Sequence, residues 1–370
     1  MQRTVLALAL LGLTSAAYAD ITVKLGAAGP LTGPISHIGK DGENGIRLAI
    51  EDANAKGVTI GGQKVKFELV SEDDQADPRT ATTVAQRLVD AGVKGVIGHV
   101  TSGASIPASR VYEQAGLPVI TPSSTSPLLT RQGFKVTYRV IANDLQQGEA
   151  MAKYATKKLG IKKVAVIDDR TAYGQGLADA LSDSMRKDGA QIVAREFTND
   201  KASDFTAILT KIKGLNPDAI FYGGMDAQGS PMLRQVRQLG IKAAFLSGDG
   251  LCTAEMLKLS AAVMDNRVFC TQAGIPMDKM PGGAKFRERF EQRFKGEVQL
   301  YAPYNYDAAT ALIEAMKAAN SVEPAKYLPA LKTLKFKGIT GNIAFDANGD
   351  IREGGVTFYS FKDGKWVATE

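Results

Sequence analysis

Two groups of hydroxyl side chains have the residue types and spacing to hold a small anion. The first, Thr-Ser-Gly-Ala-Ser, occupies residues 101–105 after an apolar strand, and the second, Thr-Pro-Ser-Ser-Thr-Ser-Pro, occupies residues 121–127 after another. Pro107 and Pro127 lie where we expect the first turn of a helix to open. Helix N-termini that meet at the carboxyl ends of neighbouring strands bind carboxylates and similar anions through free N–H groups. The segment therefore predicts an anion site.

The sequence offers little for catalysis. It contains no GxGxxG dinucleotide loop, no GxxxxGK(S/T) phosphate loop, no GxSxG nucleophile elbow and no HExxH zinc motif. Of its two histidines, we expect His99 to be structural and His37 to lie in a loop beside a cleft. Asp73 and Asp74 follow a strand, which favours carboxylates that cap a helix or hold a loop over a metal or acid–base pair. We therefore expect no enzyme chemistry, no metal and no cofactor.

The elements that position these residues alternate between short apolar strands and amphipathic helices. One predicted helix, at residues 43–56, places four apolar residues on one face with helical spacing. The alternation pauses at residues 142–144, which have the polar composition of a hinge, and then resumes. Repeated βα units predict parallel sheets covered on both faces. A mature chain of about 350 residues is long enough for two such lobes with a cleft between them.

The first 19 residues are typical of a secretory signal peptide. They contain one positive residue, Arg3, then an apolar run at residues 5–13 and an Ala-Tyr-Ala exit that predicts cleavage after Ala19. The apolar run is too short to span a bilayer, and no cysteine follows it to accept a lipid. We therefore expect a soluble exported protein, most simply in a bacterial periplasm.

Charge and cysteine content narrow the classes of partner. The formal net charge of +6 is spread along the chain, without the basic and aromatic interleaving that is typical of nucleic-acid binding. The two cysteines are Cys252 and Cys270. In an oxidising compartment a local disulfide is favoured over two free thiols.

Several short phrases of the sequence carry a resemblance to a known family. They are Gly98-His99, Ile120-Thr121-Pro122, Tyr173-Gly174-x-Gly176, Tyr222-Gly223-Gly224, Tyr304-x-Tyr306-Asp307-Ala308, and Asp73-Asp74 with Asp77-Pro78. In this order, the mature chain resembles the leucine/isoleucine/valine-binding proteins of bacterial ABC transporters. The resemblance implies an α/β type I periplasmic binding fold, in which three hinge crossings join two Rossmann-like lobes. It divides the chain into residues 20–142 plus 272–352 and residues 143–271 plus 353–370.

The resemblance also implies which residues hold a free amino acid. Ser102 and Thr125 would bind its carboxylate, and the Ser123 carbonyl, the Thr125 hydroxyl and Asp249 would bind its ammonium. The better-known members carry glutamate where this chain has Asp249, so the shorter acid must approach more closely or act through water. Tyr173 would close over the α-carbon end of the ligand. A plain Gly-Asp-Gly turn and a packing aromatic are the alternative interpretations of Asp249 and Tyr173.

An apolar side-chain pocket follows from the same resemblance. It consists of Ile38, Val100 and Tyr301, with Met225 at its rim. Two family tyrosines are replaced here by Ile38 and Met225, which disfavours a polar ligand side chain. Burying an isobutyl group contributes about 3 kcal/mol at ~0.8 per carbon, and one methylene changes this by about 1–3 kcal/mol. We therefore expect leucine, isoleucine, valine and phenylalanine to be ranked rather than sharply separated.

These expectations describe a monomeric solute-binding protein that delivers an aliphatic amino acid to ABC permease subunits. Three alternatives stay open: an amide, urea or aromatic carboxylate as cargo, a ligand-sensing receptor domain, and a secreted α/β enzyme. Asp249 disfavours the first alternative because such ligands bring no ammonium. The missing nucleophile and cofactor motifs disfavour the enzyme.

Overall fold

The computed structural model describes residues 20–369, so the predicted signal peptide and its cleavage site lie outside the described residues. The strands are β1 (Ile21–Gly29), β2 (Thr59–Ile60), β3 (Gln63–Asp73), β4 (Val96–Gly98), β5 (Val119–Thr121), β6 (Thr137–Arg139), β7 (Lys163–Asp168), β8 (Gln191–Phe197), β9 (Ala219–Gly223), β10 (Ala244–Ser247), β11 (Val268–Gln272), β12 (Lys335–Lys337), β13 (Asn342–Ala344), β14 (Thr357–Lys362) and β15 (Lys365–Thr369). The helices are α1 (Ser36–Lys56), α2 (Pro78–Asp90), α3 (Ser102–Ala115), α4 (Asp144–Lys157), α5 (Ala172–Lys187), α6 (Thr206–Gly214), α7 (Asp226–Gln238), α8 (Ala254–Ser260), α9 (Gly283–Phe294), α10 (Ala302–Ala318) and α11 (Pro324–Lys332). No helix within residues 20–369 has both the length and the apolarity needed to cross a membrane.

The first sheet has six strands in the order β2-β3-β1-β4-β5-β6. All neighbouring pairs are parallel except β2 with β3. Helices cover both faces of this sheet: α1 and α10 pack on one side, and α2 and α3 on the other. The inner strands β4 and β5 are therefore buried at every residue. Strands β1 and β4 are neighbours although β3 intervenes in sequence, so the strand order reverses between them. A crevice at the carboxyl ends is expected at such a reversal.

The second sheet has seven strands in the order β15-β14-β11-β10-β9-β7-β8. Strands β7 to β11 pair in parallel, and β14 and β15 extend the edge in antiparallel fashion. Helices α4 and α5 cover one face, while α6 and α7 cover the other. The order of β7 and β9 repeats the reversal seen in the first sheet, so each sheet has its own crevice at its carboxyl edge.

The chain passes between the two sheets three times. It leaves the first sheet after β6, and after β11 it returns so that α10 packs on α1 and the first sheet. It then crosses again to add β14 and β15 beside β11. This architecture confirms the predicted α/β fold with two Rossmann-like lobes. The lobe boundaries at residues 142, 272 and 353 stay a prediction.

Helix α1 begins earlier than expected. It starts at Ser36, whereas the sequence predicted a loop at residues 29–39 and a helix from residue 43. The extra turns contain Gly39 and Gly42, and glycine lowers helix propensity. Packing requires those glycines: a Cβ at Gly39 would lie 2.0 Å from the Pro30 carbonyl oxygen. The close approach of neighbouring backbone therefore overrides the local propensity.

The two hydroxyl-rich segments lead into different structures: a long α-helix follows the first and a short 3-10 helix follows the second. The prediction that both begin an α-helix is therefore wrong in part. Thr101 caps α3, and its side chain accepts a hydrogen bond from the Ala104 N–H at 3.4 Å. Because this cap lies upstream, Pro107 falls inside α3 and not in its first turn. Pro127 opens only a three-residue 3-10 helix, Pro127–Leu129. One helix N-terminus, that of α3, is therefore available at this crevice.

Candidate functional site

The two hydroxyl-rich segments, extended to include His99 and Val100, form the hydroxyl loops (residues 99–105 and 121–127), and hydrogen bonds join one loop to the other. The Ser102 hydroxyl accepts a bond from the Ser126 N–H at 3.1 Å. The Ser123 hydroxyl donates to the Val100 carbonyl at 3.0 Å, and the Ser124 hydroxyl donates to the His99 carbonyl at 3.2 Å. All of these side chains are buried. Most of the hydroxyls therefore hold the loops in place.

Thr125 and Asp144 are exceptions, because no well-aligned hydrogen bond reaches the Thr125 hydroxyl or either carboxylate oxygen of Asp144 among residues 20–369. The Thr125 hydroxyl lies close enough to that carboxylate to stabilise its charge. The two residues are adjacent, since the Asp144 N–H donates to the Thr125 carbonyl at 2.9 Å. Burial raises the pKa of Asp144 to about 8; the charge of Asp249 adds to the rise, while Thr125 and Arg139 oppose it. An unpartnered buried acid of this kind is a candidate for binding a cation.

Asp249 lies in a tight turn at residues 248–252, which we call the acid turn. Gln147 donates to its Oδ1 atom at 3.1 Å and Tyr173 donates to the same atom at 2.8 Å. The Tyr301 hydroxyl donates to Oδ2. Burial raises the pKa of Asp249, and the bonds from Tyr301, Tyr173 and Gln147 oppose that rise. A carboxylate offers about four acceptor positions, so three donors leave room for one more.

The two glycines beside Asp249 permit this close packing. A Cβ at position 248 would lie 2.2 Å from Leu177 Cδ2, and one at position 250 would lie 2.5 Å from the Gly224 carbonyl oxygen. The Gly250 N–H also donates to the Tyr173 hydroxyl at 2.9 Å. The Gly-Asp-Gly sequence is therefore a steric requirement of a turn that presents an acid to three donors.

Tyr301 owes its position to a buried acid on α1. The carboxylate of Asp41 accepts four backbone N–H bonds, from residues 299, 300, 301 and 302, at 2.8 to 3.1 Å. Burial raises the pKa of Asp41, and these four bonds oppose the rise. Asp41 thus ties the segment before α10 to the helix that carries Ile38. Sequence reasoning did not predict this role.

Eight of the nine residues assigned from the sequence line one small cavity. They come from the carboxyl side of both sheets: Ile38, Val100, Ser102, Ser123, Tyr173, Met225, Asp249 and Tyr301. Thr101 and Gly250 complete the lining. Thr125 does not line the cavity, although it is buried beside Asp144. The cavity has an acid on the second-sheet side, hydroxyls on the first-sheet side, and apolar Ile38, Val100 and Met225 between them.

Both histidines are accounted for by hydrogen bonds. His99 is buried between Asp74, 2.6 Å from its Nδ1, and the Tyr112 hydroxyl, 3.0 Å from its Nε2, which confirms the structural interpretation. The expected loop position of His37 is wrong, because His37 lies on α1. Its Nε2 is 2.9 Å from Oδ2 of Asp226, the first residue of α7. His37 therefore joins a helix of the first sheet to a helix of the second.

Asp73 and Asp74 hold loops, as the favoured interpretation predicted. Asp73 accepts bonds from the Leu31 and Gln75 N–H groups at 2.8 and 2.9 Å. Asp74 accepts one from the Ala76 N–H at 2.8 Å, besides its contact with His99. No group of three or more potential metal ligands occurs within the described part of the chain.

The predicted disulfide between Cys252 and Cys270 is present, and both cysteines are buried. Cys252 ends the acid turn and Cys270 lies on β11. The bond therefore connects a cavity-lining segment to the strand next to it.

Asp144 and Gln147 act on the cavity-lining Asp249 from outside the lining, and sequence reasoning missed both: Gln147 donates to Asp249, and the charges of Asp144 and Asp249 interact. Asp144 belongs to the polar stretch that the sequence assigned to a hinge, and the structure places it, buried, at the start of α4. The signal was present: Asn143 followed by Gln146 three residues later is a capping box, which the structure contains. That pattern marks a helix start, so it would have placed both residues on one first turn.

Two α/β lobes with matching crevices and a polar-ended cavity define a solute-binding protein of the type I periplasmic class. The periplasmic binding protein family model matches residues 22–365, and the chain belongs to this family. An amino acid binding protein of Pseudomonas aeruginosa is 36% identical over 367 residues, which cover 98% of this chain and 96% of that protein. The same organism's leucine-, isoleucine-, valine-, threonine- and alanine-binding protein is 30% identical, covering 98% and 95%.

Solved structures agree with this assignment. The leucine binding protein LivK of Thermotoga maritima is 32% identical and superposes with a TM-score of 0.87, covering 94% of this chain and 98% of its own. LivJ of Streptococcus pneumoniae, solved with isoleucine, is 28% identical with a TM-score of 0.83, covering 94% and 100%. A Rhodopseudomonas palustris protein solved with benzoate reaches 0.83 at 20% identity, covering 94% and 95%, and shares the fold alone. The chain is thus a periplasmic binding protein of the branched-chain amino acid transporter type.

Proposed function

We propose that the protein binds a branched-chain L-amino acid between its two lobes and delivers it to the membrane permease of an ABC importer. One observation carries the proposal: a helix N-terminus with hydroxyls and a buried acid line the same cavity from opposite sides. A zwitterion needs this arrangement, because its carboxylate requires donors and its ammonium requires acceptors within a few ångströms of each other.

The carboxylate would bind at the start of α3. This helix has 14 residues and begins at Ser102, so its first N–H groups and its positive end face the cavity that Ser102 lines. The Ser102 hydroxyl accepts one bond from Ser126 and keeps its own proton free to donate. The Thr125 hydroxyl would be a second donor; it is buried beside Asp144, outside the cavity lining, so the ligand would reach it only after a local rearrangement.

The ammonium would bind between Asp249 and the start of α4. Asp249, which lines the cavity, has one acceptor position left after its three donors. Asp144 is buried outside the cavity lining, and no well-aligned hydrogen bond reaches its carboxylate within residues 20–369. The charge of Asp249 also raises the pKa of Asp144, and an ammonium placed near both acids would offset that repulsion. The Ser123 carbonyl is a neutral acceptor at the same cavity. Tyr173 would close over the α-carbon from the second lobe.

The ligand side chain would lie against Ile38, Val100 and Met225, with the ring of Tyr301 beside them. These groups offer apolar contact and no charge, which favours leucine, isoleucine and valine. The curated relatives support this choice, because they include Leu/Ile/Val-binding protein homologues of Brucella abortus at 33% and 35% identity. Benzoate or an amide would leave the two acids without an ammonium.

Closure of the lobes would follow ligand contact with the first lobe. Residues from both sheets meet at the site, since Tyr301 and His37 bond to Asp249 and Asp226. A ligand that contacts both lobes favours their closed arrangement by its extra affinity for that arrangement. The protein would be exported, cleaved after Ala19 and active as a monomer, and it would release its cargo unaltered at the permease.

Calorimetric titration of refolded, ligand-stripped protein tests this function. The panel would contain the twenty amino acids, two amides, urea and benzoate, each in the same buffer. We expect leucine, isoleucine and valine to bind within about a hundredfold of each other, since one methylene changes binding by about 1–3 kcal/mol. Stronger binding of benzoate or an amide would contradict the proposal. A modified amino acid recovered after denaturation would contradict binding without chemistry.

A further inference from the structure

The Cys252–Cys270 disulfide closes a small ring around Asp249. Cys270 on β11 pairs in register with Ser247 of β10, and the acid turn (residues 248–252) begins directly after Ser247 and ends at Cys252. The disulfide joins the end of that turn back to Cys270, where the Cα atoms are 5.5 Å apart. Both ends of the acid turn are therefore attached to the same point of one sheet.

Hydrogen bonds inside the ring restrict its backbone. The Cys252 N–H donates to the Asp249 carbonyl at 3.0 Å, and the Leu251 N–H donates to the Gly248 carbonyl at 3.2 Å. From outside the ring, the Gln272 side chain donates to the Cys252 carbonyl at 3.2 Å. A turn that contains two glycines has many conformations available when it is free, so the covalent closure removes more freedom here than elsewhere.

The residue after Cys270 supports the same carboxylate by a second route. The Thr271 hydroxyl donates to Oε1 of Gln147 at 3.0 Å, which leaves the amide NH₂ of Gln147 facing Asp249 at 3.1 Å. Strand β11 thus holds Asp249 both through the disulfide and through an oriented amide. The two supports act on its backbone and on its side chain.

We propose that the disulfide is a positioning element of the ligand site, so that its loss lowers ligand affinity through Asp249 and not only the stability of the lobe. This inference rests on the proposed function, in which Asp249 binds the ligand ammonium. A disulfide that served stability alone would leave the affinity of the folded protein unchanged.

A double-mutant cycle on leucine affinity separates these two roles. The cycle compares three variants with the parent protein. The first replaces both cysteines (Cys252→Ala with Cys270→Ala), the second is Asp249→Asn, and the third combines all of these replacements. Titrations are run well below the melting temperature of every variant. We expect the cysteine replacement to weaken binding about tenfold when Asp249 is present and less than twofold in the Asp249→Asn background, since the bond acts through that acid. Equal losses in both backgrounds would overturn the proposal.

Ile212→Ala is the matched control, because Ile212 is buried on α6 and lies outside the acid turn. It should lower stability and leave leucine affinity within twofold; an affinity loss as large as that of the cysteine variant would overturn the proposal. If the cysteine variant does not fold, Thr271→Val and Thr271→Ser replace it. We expect valine to weaken binding and serine to restore it, and failure of that rescue would count against the positioning role.

Hydrogen exchange gives a readout that does not depend on amino-acid binding. In the cysteine variant, the amides of residues 248–252 should exchange faster, while those of β9 should exchange as in the parent protein. Unchanged exchange in the acid turn would overturn the inference. A parent protein that binds no amino acid, yet shows this local acceleration in the variant, would contradict the proposed function alone.

Discussion

The hydroxyl loops and the acid turn hold their polar groups in opposite ways. In the hydroxyl loops, Ser123 and Ser124 use their hydroxyls on carbonyls of the same two loops, 23 to 25 residues away in sequence. In the acid turn, the carboxylate of Asp249 accepts bonds from side chains that are 52, 76 and 102 residues away. The polar groups of the hydroxyl loops are therefore satisfied mainly by each other. The carboxylate of the acid turn is satisfied by side chains from distant parts of the chain.

This difference indicates where ligand affinity resides. A hydroxyl that already bonds to a carbonyl contributes mainly to loop geometry, and its loss should mainly affect stability. A buried carboxylate with an acceptor position left has uncompensated charge, and a cation gains most from it. The serine-rich composition of the hydroxyl loops therefore overstates their share of binding.

The largest effect is expected from Asp249→Asn. The amide keeps the shape of the acid and removes its charge, so the ligand ammonium loses its partner. Losing one member of a buried charge pair costs about 2–5 kcal/mol, which is about thirtyfold or more in leucine affinity by calorimetry.

Asp183→Asn is the matched control, since Asp183 is exposed on α5 and pairs only with Arg186 in the described chain. It should leave affinity unchanged within twofold. Equal affinities of the two variants would mean that the acid turn is only a turn, and the comparison with the hydroxyl loops would fail.

The sequence predicted the hydroxyl loops better than the acid turn because the contacts of the loops are close in sequence. An apolar strand followed by Thr and Ser is visible in one short window, and the α3 N-terminus follows from its cap at Thr101. The donors to Asp249 follow no period and lie on α4, α5 and the segment before α10. The resemblance supplied Asp249 and Tyr173; Gln147 required coordinates.

The remaining misses have one physical cause, which is that tertiary packing overrides local preference. The glycines of α1 favour a loop locally, and the helix forms because neighbouring backbone approaches them closely. Asp144 has the sequence context of a solvated hinge, yet it is fully buried. A single sequence does not report burial of an acid, because acids are rarely buried.

Thr125→Val and Ser124→Ala sharpen the comparison within the hydroxyl loops. The Thr125 hydroxyl forms no well-aligned hydrogen bond among residues 20–369, and under the proposed function it donates to the ligand carboxylate. Its removal should therefore weaken leucine binding by about 1.5–3 kcal/mol, tenfold or more, with little loss of stability. Ser124→Ala should lower the free energy of unfolding by about 0.5–1.5 kcal/mol and leave affinity within twofold. Titration and urea unfolding measure both. Thr125→Ser is the rescue variant. If Thr125→Val and Ser124→Ala change leucine affinity and the free energy of unfolding by the same amounts, the proposed difference between a ligand-binding hydroxyl and a loop-holding hydroxyl is wrong.

Asp144→Asn tests whether the unpartnered acid lowers the stability of the ligand-free protein. An unfolded aspartate has a pKa near 3.9, and burial raises that of Asp144 to about 8, so the folded state holds a proton that the unfolded state has lost between these values. Stability should therefore fall as pH rises from about 4 to about 8. Asparagine does not titrate, so the variant should lose this slope and be about 1–3 kcal/mol more stable near pH 8.

Urea midpoints at pH 5, 6, 7 and 8 measure this difference. Burial also raises the pKa of Asp169 and Asp307 to about 6, but both titrate in the two proteins and cancel. Parallel stability curves for the two proteins would show that Asp144 is compensated in solution. Asp144 would then be a carboxylate with hydrogen-bond donors, as Asp249 is, and not a side chain without a well-aligned partner, as Thr125 is.

The smallest effect is expected from the contact between His37 and Asp226, which connects the two sheets beside the cavity. Burial of His37 disfavours its charge, but the hydrogen bond and the charge of Asp226 outweigh this, and Glu255 and Asp41 add to the result, so the pKa of His37 is raised. A raised histidine pKa stabilises the joined lobes below about pH 6.5, and the contribution is lost as pH rises through the raised value. A partly exposed pair of this kind contributes up to about 1 kcal/mol, so leucine affinity should weaken by at most about fivefold between pH 6 and 8.

His37→Gln keeps a donor and does not titrate, so its affinity should be flat over that range apart from changes shared with the parent. If the leucine affinities of the parent and of the variant change with pH in the same way, the pH dependence comes from Asp144 and Asp249. His37 would then be only a packing contact.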